Sequence, residues 1–473
     1  MTYPYFHFLP PCRFLPASLW AALIILVSLF SPAALASSTH EFTLGNGLRL
    51  IVKEDHRSPV VISQIWYKAG SIDEVNGKTG VAHVLEHMMF KGTKKVPGGE
   101  FSRLIAAAGG RENAFTGQDY TAYFQQLHKS RLPLAMELES DRMRNLVLTE
   151  EEFSKEIKVV MEERRLRTDD QARSLVHETL MATSYQSHPY RHPVIGWMND
   201  LQNMTAEDAR QWYEHWYAPN NAVLVVVGDV IPRQVFDLAR KYYGQIKKAK
   251  SMLTLDQRKP QIEPQQLGIK RLTVKAPAQL PYIAMAYHAP SLRKPEKDWE
   301  PYALEMLAGV LDGNESARLN KVLVREQRVA STAGASYDST ARGPAIFYLD
   351  GTPSEGKTGA DVEAALRAEI ERLVREGVTE EELARVKAQV VAGHVFQLDS
   401  MFFQAMQIGQ FESIGLSYRD VDIILRKLQA VTPEQVRDVA KKYLKDDNLT
   451  IAVLDPQPLE QKAPAAVPAG LRH

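Results

Sequence analysis

Three side chains in segment 81–90 have types and a spacing that could do chemistry. The segment contains neither proline nor glycine and follows Gly80, which predicts a helix. On a helix His83 and His87, four residues apart, share one face, and Glu86 lies beside both. Two imidazoles at this separation can bind one Zn²⁺, with the carboxylate next to an open coordination position. The pattern predicts a zinc helix, and the alternative is a helix with ordinary buried histidines.

A third ligand is expected from segment 149–165. Thr149 with Glu152 three residues later is a capping-box signature, and apolar residues then recur at helical spacing. Glu156 and Glu163 are seven residues apart and share one face of this helix. One of these carboxylates reaching the first helix would complete a His, His, Glu site and leave a fourth position for water. The alternative is a solvated charged helix.

At this point the sequence resembles the inverzincin peptidases of the pitrilysin and mitochondrial-processing-peptidase type (insulinase-like, M16). Their metal motif matches His83 to His87, and Glu163 follows His87 by 76 residues, as the family spacing requires. Other matching stretches are Phe90-Lys91-Gly92-Thr93, Gly110 to Thr116 with Asp119, Thr121 and Tyr123, and His188-Pro189-Tyr190-Arg191 with Gly196. The resemblance runs from about Phe42 to Leu454.

The resemblance implies that one Zn²⁺ is held by His83, His87 and Glu163. The metal would lower the pKa of a water toward ~7, and Glu86 would take its proton and pass it to the leaving amine. Glu156 would orient a metal ligand from outside the coordination shell, or else be a surface glutamate. The expected activity is a zinc-dependent endopeptidase that cleaves peptides or unfolded polypeptides without a covalent intermediate.

Substrate-binding residues are expected in both halves of the chain. Asn113, Ala114 and Phe115 could form an edge strand that an extended peptide joins by β-augmentation, or an ordinary structural strand. In the second half the family offers an Arg and, six or seven residues later, a Tyr. Arg325 fits the arginine, but Ser331 stands at the tyrosine position. Tyr337 lies nearby at a different spacing.

This substitution leads to a hypothesis about partners. Some family members supply both parts of the site from one kind of chain, as a homodimer. Others divide them, and a zinc-bearing subunit pairs with a homologue that lacks the zinc motif. Ser331 favours the heterodimer here. A different class of function, a non-catalytic subunit that binds peptides or assembles a complex, is opposed by the intact motif.

Composition and patterning divide the chain into segments. An uncharged run of 17 residues ends at Phe30 and is followed by Ala34-Leu35-Ala36, which predicts a cleaved signal peptide over residues 1–36. The polar, proline-containing segment 247–268 is predicted to link two domains, 37–246 with the zinc site and 269–455 without metal. Residues 456–473 are predicted to be a disordered tail.

Each predicted domain mixes strands and helices without a regular alternation, so we predict an α+β fold. Segments 205–227 and 432–454 match element for element, and segment 300–311 resembles the zinc helix in position but has no histidine. These matches indicate an internal duplication. The family resemblance implies two homologous α/β-sandwich halves that form a clamshell around a chamber.

Charge and cysteine content exclude several classes of function. The 473 residues have a formal net charge of zero, and removal of the signal peptide leaves −1, which gives no reason to expect nucleic-acid binding. The single Cys12 lies in the predicted signal peptide, so the mature chain has neither a disulfide nor a thiolate ligand. We expect a periplasmic or secreted protein, without membrane attachment once the signal is cleaved. An uncleaved membrane anchor is the alternative.

Overall fold

The computed structural model describes residues 39–459. The predicted signal peptide lies outside this range, as does the tail from residue 460 onward. Within the described range, no helix combines the length and the apolar character that crossing a membrane requires.

The first half begins with a hairpin and ends with a helix. Its strands are β1 (Thr39–Thr43), β2 (Arg49–Glu54), β3 (Val60–Tyr67), β4 (Arg111–Thr116), β5 (Thr121–His128) and β6 (Ala222–Gly228). Its helices are α1 (Val81–Met88), α2 (Glu100–Ala107), α3 (Leu132–Asn145), α4 (Glu150–Arg164), α5 (Ala172–Ser184), α6 (Met198–Asn203), α7 (Ala206–Trp216) and α8 (Pro232–Tyr243). A π-helical turn, Arg165–Asp169, joins α4 to α5.

The second half repeats this order with longer helices. Its strands are β7 (Lys270–Pro277), β8 (Tyr282–Ala289), β9 (Ala330–Tyr337), β10 (Ala345–Pro353) and β11 (Leu449–Gln457). Its helices are α9 (Glu300–Asp312), α10 (Gly359–Glu376), α11 (Glu380–Gln397), α12 (Met401–Ile414), α13 (Val421–Ala430) and α14 (Pro433–Tyr443). A π-helical segment, Asn320–Glu326, precedes β9.

Apart from the additional edge strand β1 of the first half, the two sheets have the same topology, which confirms the α+β fold with two homologous halves. The first sheet has the order β1-β2-β6-β3-β5-β4 and the second the order β7-β11-β8-β10-β9. In each sheet one parallel pair, β2 with β6 or β7 with β11, is followed by antiparallel pairs only. The edge strands β4 and β9 therefore correspond, and α1 and α9 occupy the same place before them.

One helix of each half packs on the sheet of the other half. Helix α12 of the second half packs on the outer face of the first sheet, beside Trp66, and α5 of the first half packs on the outer face of the second sheet. The first of these contacts requires Gly409, because a Cβ there would lie 2.1 Å from the Trp66 ring. Burial of apolar area on both outer faces thus holds the halves together.

Two predicted segments, the tail and the linker, can be compared with the structure. The predicted start of the disordered tail at residue 456 is wrong, because Pro456 and Gln457 continue β11 and pair with β7. The physical reason is that a proline can occupy a strand end where its missing N–H is not needed. Segment 247–268 has little regular structure but contacts both halves, since Arg258 donates to Asp73 (3.1 Å) and Gln266 to the carbonyl of Leu449 (2.7 Å).

Candidate metal centre and substrate strand

Helix α1 begins where two loops meet closely. Gly80 has φ +87°, and a Cβ there would lie 2.6 Å from the carbonyl oxygen of Ile195, so no larger residue fits. The buried carboxylate of Glu74 accepts hydrogen bonds from the N–H groups of Gly80 (2.8 Å) and Ala82 (2.9 Å). These bonds satisfy donors that a helix start leaves unpaired and fix the direction of the helix.

Three side chains from α1 and α4 converge at one point. Glu163 Oε2 lies 3.3 Å from His87 Nε2 and 3.8 Å from His83 Nε2. A ligand atom from each residue falls within 4.8 Å of the other two. Two imidazole nitrogens and a carboxylate oxygen form the donor set of a catalytic zinc site with a free fourth position. The residues therefore fit the metal that the sequence predicted.

The two histidines have different surroundings. Burial lowers the pKa of His83 to about 3, so its ring is neutral, the form that binds a metal. Its Nδ1 is buried and finds no hydrogen-bond partner within residues 39–459. Burial alone would lower the pKa of His87 as well, but the hydrogen bond to Glu156 and nearby carboxylates raise it above its usual value. His87 is thus oriented by a polar partner and His83 by packing.

The predicted role of Glu156 has a geometric basis. His87 Nδ1 donates to Glu156 Oε1 at 2.8 Å, and Lys91 Nζ lies 2.5 Å from Glu156 Oε2. A carboxylate on the second ring nitrogen fixes the tautomer and orientation of a metal-binding histidine. Sequence reasoning assigned no role to Lys91. Its position four residues after His87, one turn further on, is the signal that could have identified it.

Glu86 lies next to the cluster without belonging to it. The Thr116 hydroxyl, at the end of β4, donates to Glu86 Oε2 at 2.5 Å. Burial raises the pKa of Glu86 above its usual value, and the hydrogen bond from Thr116 opposes part of that rise. Thr116 was quoted in the family match but given no role, because nothing in the sequence shows which side chain of β4 reaches α1.

Two arginines lie at the end of α4 and in the turn after it, close to the cluster. Arg167 Nη1, in the π-helical turn, lies 2.5 Å from Glu163 Oε1, so each oxygen of this carboxylate has a different partner. Arg164 is buried, pairs with both oxygens of Glu178 at 2.8 Å and donates to the carbonyl of Gly196 at 2.9 Å. These contacts anchor the end of α4 to α5 and to the loop beside α1. Sequence reasoning missed both arginines.

The predicted substrate strand is β4, at the free edge of the first sheet. Asn113 is exposed, and its Oδ1 accepts from the N–H of Ala114 at 2.9 Å. Phe115 points to the outer face and packs edge-on against Trp66 at 5.2 Å. Through Thr116 the same strand reaches Glu86. The structure therefore brings Asn113, Ala114 and Phe115 to the strand that borders the metal cluster.

The remaining predicted residues belong to the second half. Arg325 is exposed on the π-helical segment before β9. Ser331 Oγ donates to the carbonyl of Thr352 at 3.2 Å, and the Tyr337 hydroxyl donates to the carbonyl of Pro290. In the described part of the chain, no hydrogen bond or ion pair joins Arg325, Ser331 or Tyr337 to the metal cluster.

Comparison with known proteins gives the class of this protein. Residues 49–196 match the family Insulinase (Peptidase family M16), and residues 203–390 match the Peptidase M16 inactive domain. Together with a relative that is 31% identical over 88% of the chain, these matches show that the chain belongs to the M16 peptidase family. The inactive-domain match begins near the end of the first half, after the metal cluster, and extends through the second half to residue 390.

Several relatives and solved structures are similar along most of this chain. The zinc protease PqqE of Helicobacter pylori is 31% identical, over 88% of this chain and 92% of the relative. The uncharacterized zinc protease YmxG of Bacillus subtilis is 26% identical, over 88% and 98%. The crystal structure of a protease from Helicobacter pylori matches with TM-score 0.82 and 30% identity, over 88% and 99%. The periplasmic protease PqqL from Escherichia coli shares the fold (TM-score 0.76, 20% identity, over 91% and 49%).

Proposed function

We propose that this protein is a zinc-dependent endopeptidase that cleaves peptides or unfolded polypeptides. The observation that carries the proposal is the convergence of His83, His87 and Glu163, with Glu86 on the same helix as the two histidines. Relatives named zinc proteases support it. Zinc, when bound, supplies Lewis-acid chemistry that polarises a peptide carbonyl and lowers the pKa of a water.

In this proposal Glu86 carries the protons. Its carboxylate accepts a proton from the attacking water and later donates that proton to the leaving amine. Thr116 holds one oxygen of Glu86 at 2.5 Å, which leaves the other oxygen for the water. Water attacks the peptide bond directly, so no covalent intermediate with the protein forms. Glu156, backed by Lys91, keeps the ring of His87 in the orientation that a metal ligand needs.

The substrate is proposed to lie along β4. An extended peptide can add to the free edge of this strand through main-chain hydrogen bonds. The side chain of Asn113 now accepts from the N–H of Ala114, so it must swing away when a peptide carbonyl takes its place. Phe115 offers an apolar face at the same edge. Strand addition fits a substrate without fixed structure better than a folded one.

Metal content and activity test this proposal together. The purified mature chain is expected to hold one zinc per chain and to cleave an unstructured fluorogenic peptide. A chelator should abolish the cleavage, and added Zn²⁺ should restore it. Glu163→Gln should lose zinc, whereas Glu162→Gln, an exposed neighbour on α4, should keep both zinc and activity. Cleavage that survives complete removal of the metal would contradict the proposal.

We also propose that a homologous subunit completes the site. Ser331 lacks the reach of a phenol, and the hydroxyl of Tyr337 is occupied by the carbonyl of Pro290. Loss of one donor to a developing oxyanion typically costs ~10²–10³ in rate. A homologue without the zinc motif but with the tyrosine is therefore the preferred partner. In the second half of this chain, Arg325 would face the substrate. A homodimer requires Tyr337 to change its hydrogen bond.

Mixing experiments distinguish these arrangements. The chain alone should cleave peptides slowly, and the homologous subunit should raise kcat about a hundredfold with little effect on zinc content. Equal rates with and without the subunit would exclude the divided site. If neither sample cleaves peptides while zinc is bound, the peptidase proposal is replaced by the alternative of a non-catalytic peptide-binding subunit.

For location, we propose the periplasm or the outside of the cell. The support is the predicted signal peptide and the similarity in fold to a periplasmic protease. The native protein should begin at Ser37. N-terminal sequencing tests this, and an intact N-terminus in the membrane fraction would favour the anchor.

A further inference from the structure

A cleft of about 620 Å³ opens between the two halves beside the metal cluster. We call it the arginine cleft. The residues that line it and that matter here are Gln118, Arg167, Arg173, His177, Arg191 and Tyr282. Most of them come from the first half, around α5, and Tyr282 comes from β8 of the second half.

The cleft adjoins the end of β4 that contacts Glu86. Thr116, the last residue of β4, contacts Glu86, and Gln118 at the cleft follows two residues later. Another lining residue, Arg167, lies 2.5 Å from the candidate metal ligand Glu163. The cleft is thus next to both the metal cluster and the end of β4, within reach of a chain that pairs with β4 and passes Glu86.

The lining of the cleft contains more arginines than carboxylates, and Glu163 beside Arg167 and Asp350 near Arg173 offset only part of this positive charge. Its acidic residue Glu178 is already paired with the buried Arg164. Arg173 and Arg191 form no ion pair within residues 39–459, and their bonds go to neutral oxygens. Arg173 Nη2 donates to Thr352 Oγ1 and Arg191 Nη1 to the carbonyl of Gln186, each at 2.9 Å. Both guanidinium groups keep further donors for an anion.

One of these arginines is held in place by aromatic contacts. The Arg173 guanidinium lies over the Tyr282 ring, 4.9 Å from its centre, and the Tyr282 hydroxyl lies 3.0 Å from that of Tyr348. His177 adds a third ring beside Tyr348, at 5.8 Å. A guanidinium positioned in this way forms shorter and stronger hydrogen bonds with a carboxylate than with a neutral amide.

We propose that the arginine cleft binds acidic side chains of the polypeptide substrate, on the side of the scissile bond that does not pair with β4. This inference rests on the proposed peptidase function and adds a substrate preference to it. Asp or Glu in this part of the substrate should strengthen binding, and Lys or Arg should weaken it. Rising salt should reduce the preference, because exposed charges are screened.

Binding is measured without cleavage, in the zinc-loaded full mature chain with the substitution Glu86→Gln. The probes are three fluorescein-labelled unstructured peptides of equal length with the same apolar centre. One carries three Glu residues before the centre, one carries three after it, and one has Gln at all these positions. Fluorescence anisotropy gives the Kd of each peptide at low and at high salt.

We expect one of the two Glu peptides to bind about five- to tenfold more tightly than the Gln peptide at low salt. The double substitution Arg173→Gln and Arg191→Gln should bring this ratio below twofold. Arg233→Gln removes an exposed arginine of α8 that does not line the cleft, and the ratio should persist. Arg167 is left unchanged because it contacts Glu163.

Two results would overturn the inference: equal binding of all three peptides, or a Glu preference that survives the double substitution. The same peptides, given to the chain with Glu86 intact, separate this outcome from failure of the proposed function. A Glu preference in binding without any cleavage would contradict the peptidase and leave the cleft assignment. Cleavage at equal kcat/KM for Glu and Gln peptides would contradict the cleft assignment and support the peptidase function.

Discussion

The two halves of this protein share a strand order but differ at one helix. Helix α1 presents His83, Glu86 and His87 toward α4, whereas its counterpart α9 has no histidine. The sixth residue of each helix is a glutamate, Glu86 in α1 and Glu305 in α9. The same scaffold therefore supports a candidate metal centre in one half and plain packing in the other. Function depends on the side chains placed on the fold and not on the fold alone.

The edge strands differ in the same way. At β4 a side chain of the strand donates a hydrogen bond to a helix side chain, from the Thr116 hydroxyl to Glu86 of α1. At β9 a helix side chain accepts a hydrogen bond from the main chain of the strand, since Asp312 of α9 accepts from the N–H of Ala335 at 3.2 Å. Main-chain donors at β9 are thus partly occupied. At β4 the corresponding contact comes from the strand itself, since Asn113 Oδ1 accepts from the N–H of Ala114, and not from the helix packed beside it.

The sharpest test of this comparison exchanges the two glutamates for glutamine, one at a time. Glu86→Gln should lower kcat about a thousandfold, because an amide cannot accept the proton of the attacking water. Zinc content, measured by mass spectrometry, should not change. Glu305→Gln, at the corresponding place in the other half, should leave kcat unchanged. Comparable losses in both variants would mean that the halves are not functionally distinct.

A second test removes the polar support of His87, which α9 lacks. Glu156→Gln should weaken zinc binding about 10- to 100-fold, because the histidine loses the partner that fixes its ring. Lys91→Met should have a smaller effect in the same direction, since it only frees one oxygen of Glu156. Competition with a chromogenic chelator measures both affinities. Glu162→Gln is the matched control on α4, and an unchanged affinity in Glu156→Gln would contradict the role of the carboxylate.

The start of α1 provides a third test. Glu74→Gln should destabilise the protein by about 1–3 kcal/mol, because an amide nitrogen cannot accept the second of the two helix N–H bonds. Denaturant unfolding of the metal-free protein measures this loss. At the start of α9 no side chain of the described residues 39–459 forms such a cap, and Glu300 instead contacts Tyr443. Glu300→Gln should therefore cost less than Glu74→Gln, and an equal cost would contradict the role of the cap.

The smallest effect is expected from pH in the second half. Burial raises the pKa of Glu305 to about 7 from 4.5, so the folded protein binds more protons than the unfolded chain between these values. Stability therefore falls as pH rises through this window. Glu305→Gln should remove that part of the fall and raise Tm by a few degrees at pH 8. Thermal unfolding from pH 4.5 to 8.5 measures it, with the exposed Glu315→Gln as control, and identical pH profiles would exclude the effect.

Local patterns were sufficient for much of the fold. The strands Val60–Tyr67 and Ala222–Gly228 follow from runs of buried β-branched residues, and the repeat of helix and strand near residues 205 and 432 indicated the duplication. These features depend on neighbours a few residues apart, so the sequence contains them directly. The tail boundary was the exception, because pairing of Pro456 and Gln457 with β7 is a contact over long sequence distance.

For the site, the sequence by itself determined the shared face of His83, Glu86 and His87, since helix geometry fixes residues three and four apart. Glu163 could be assigned only through the family resemblance, because no local rule connects residues 76 positions apart. The tertiary structure alone decided that Thr116 donates to Glu86, that Lys91 pairs with Glu156, and that several arginines line one cleft beside the metal cluster. These contacts arise where α1, α4, β4 and the second half pack together, and packing depends on the whole chain.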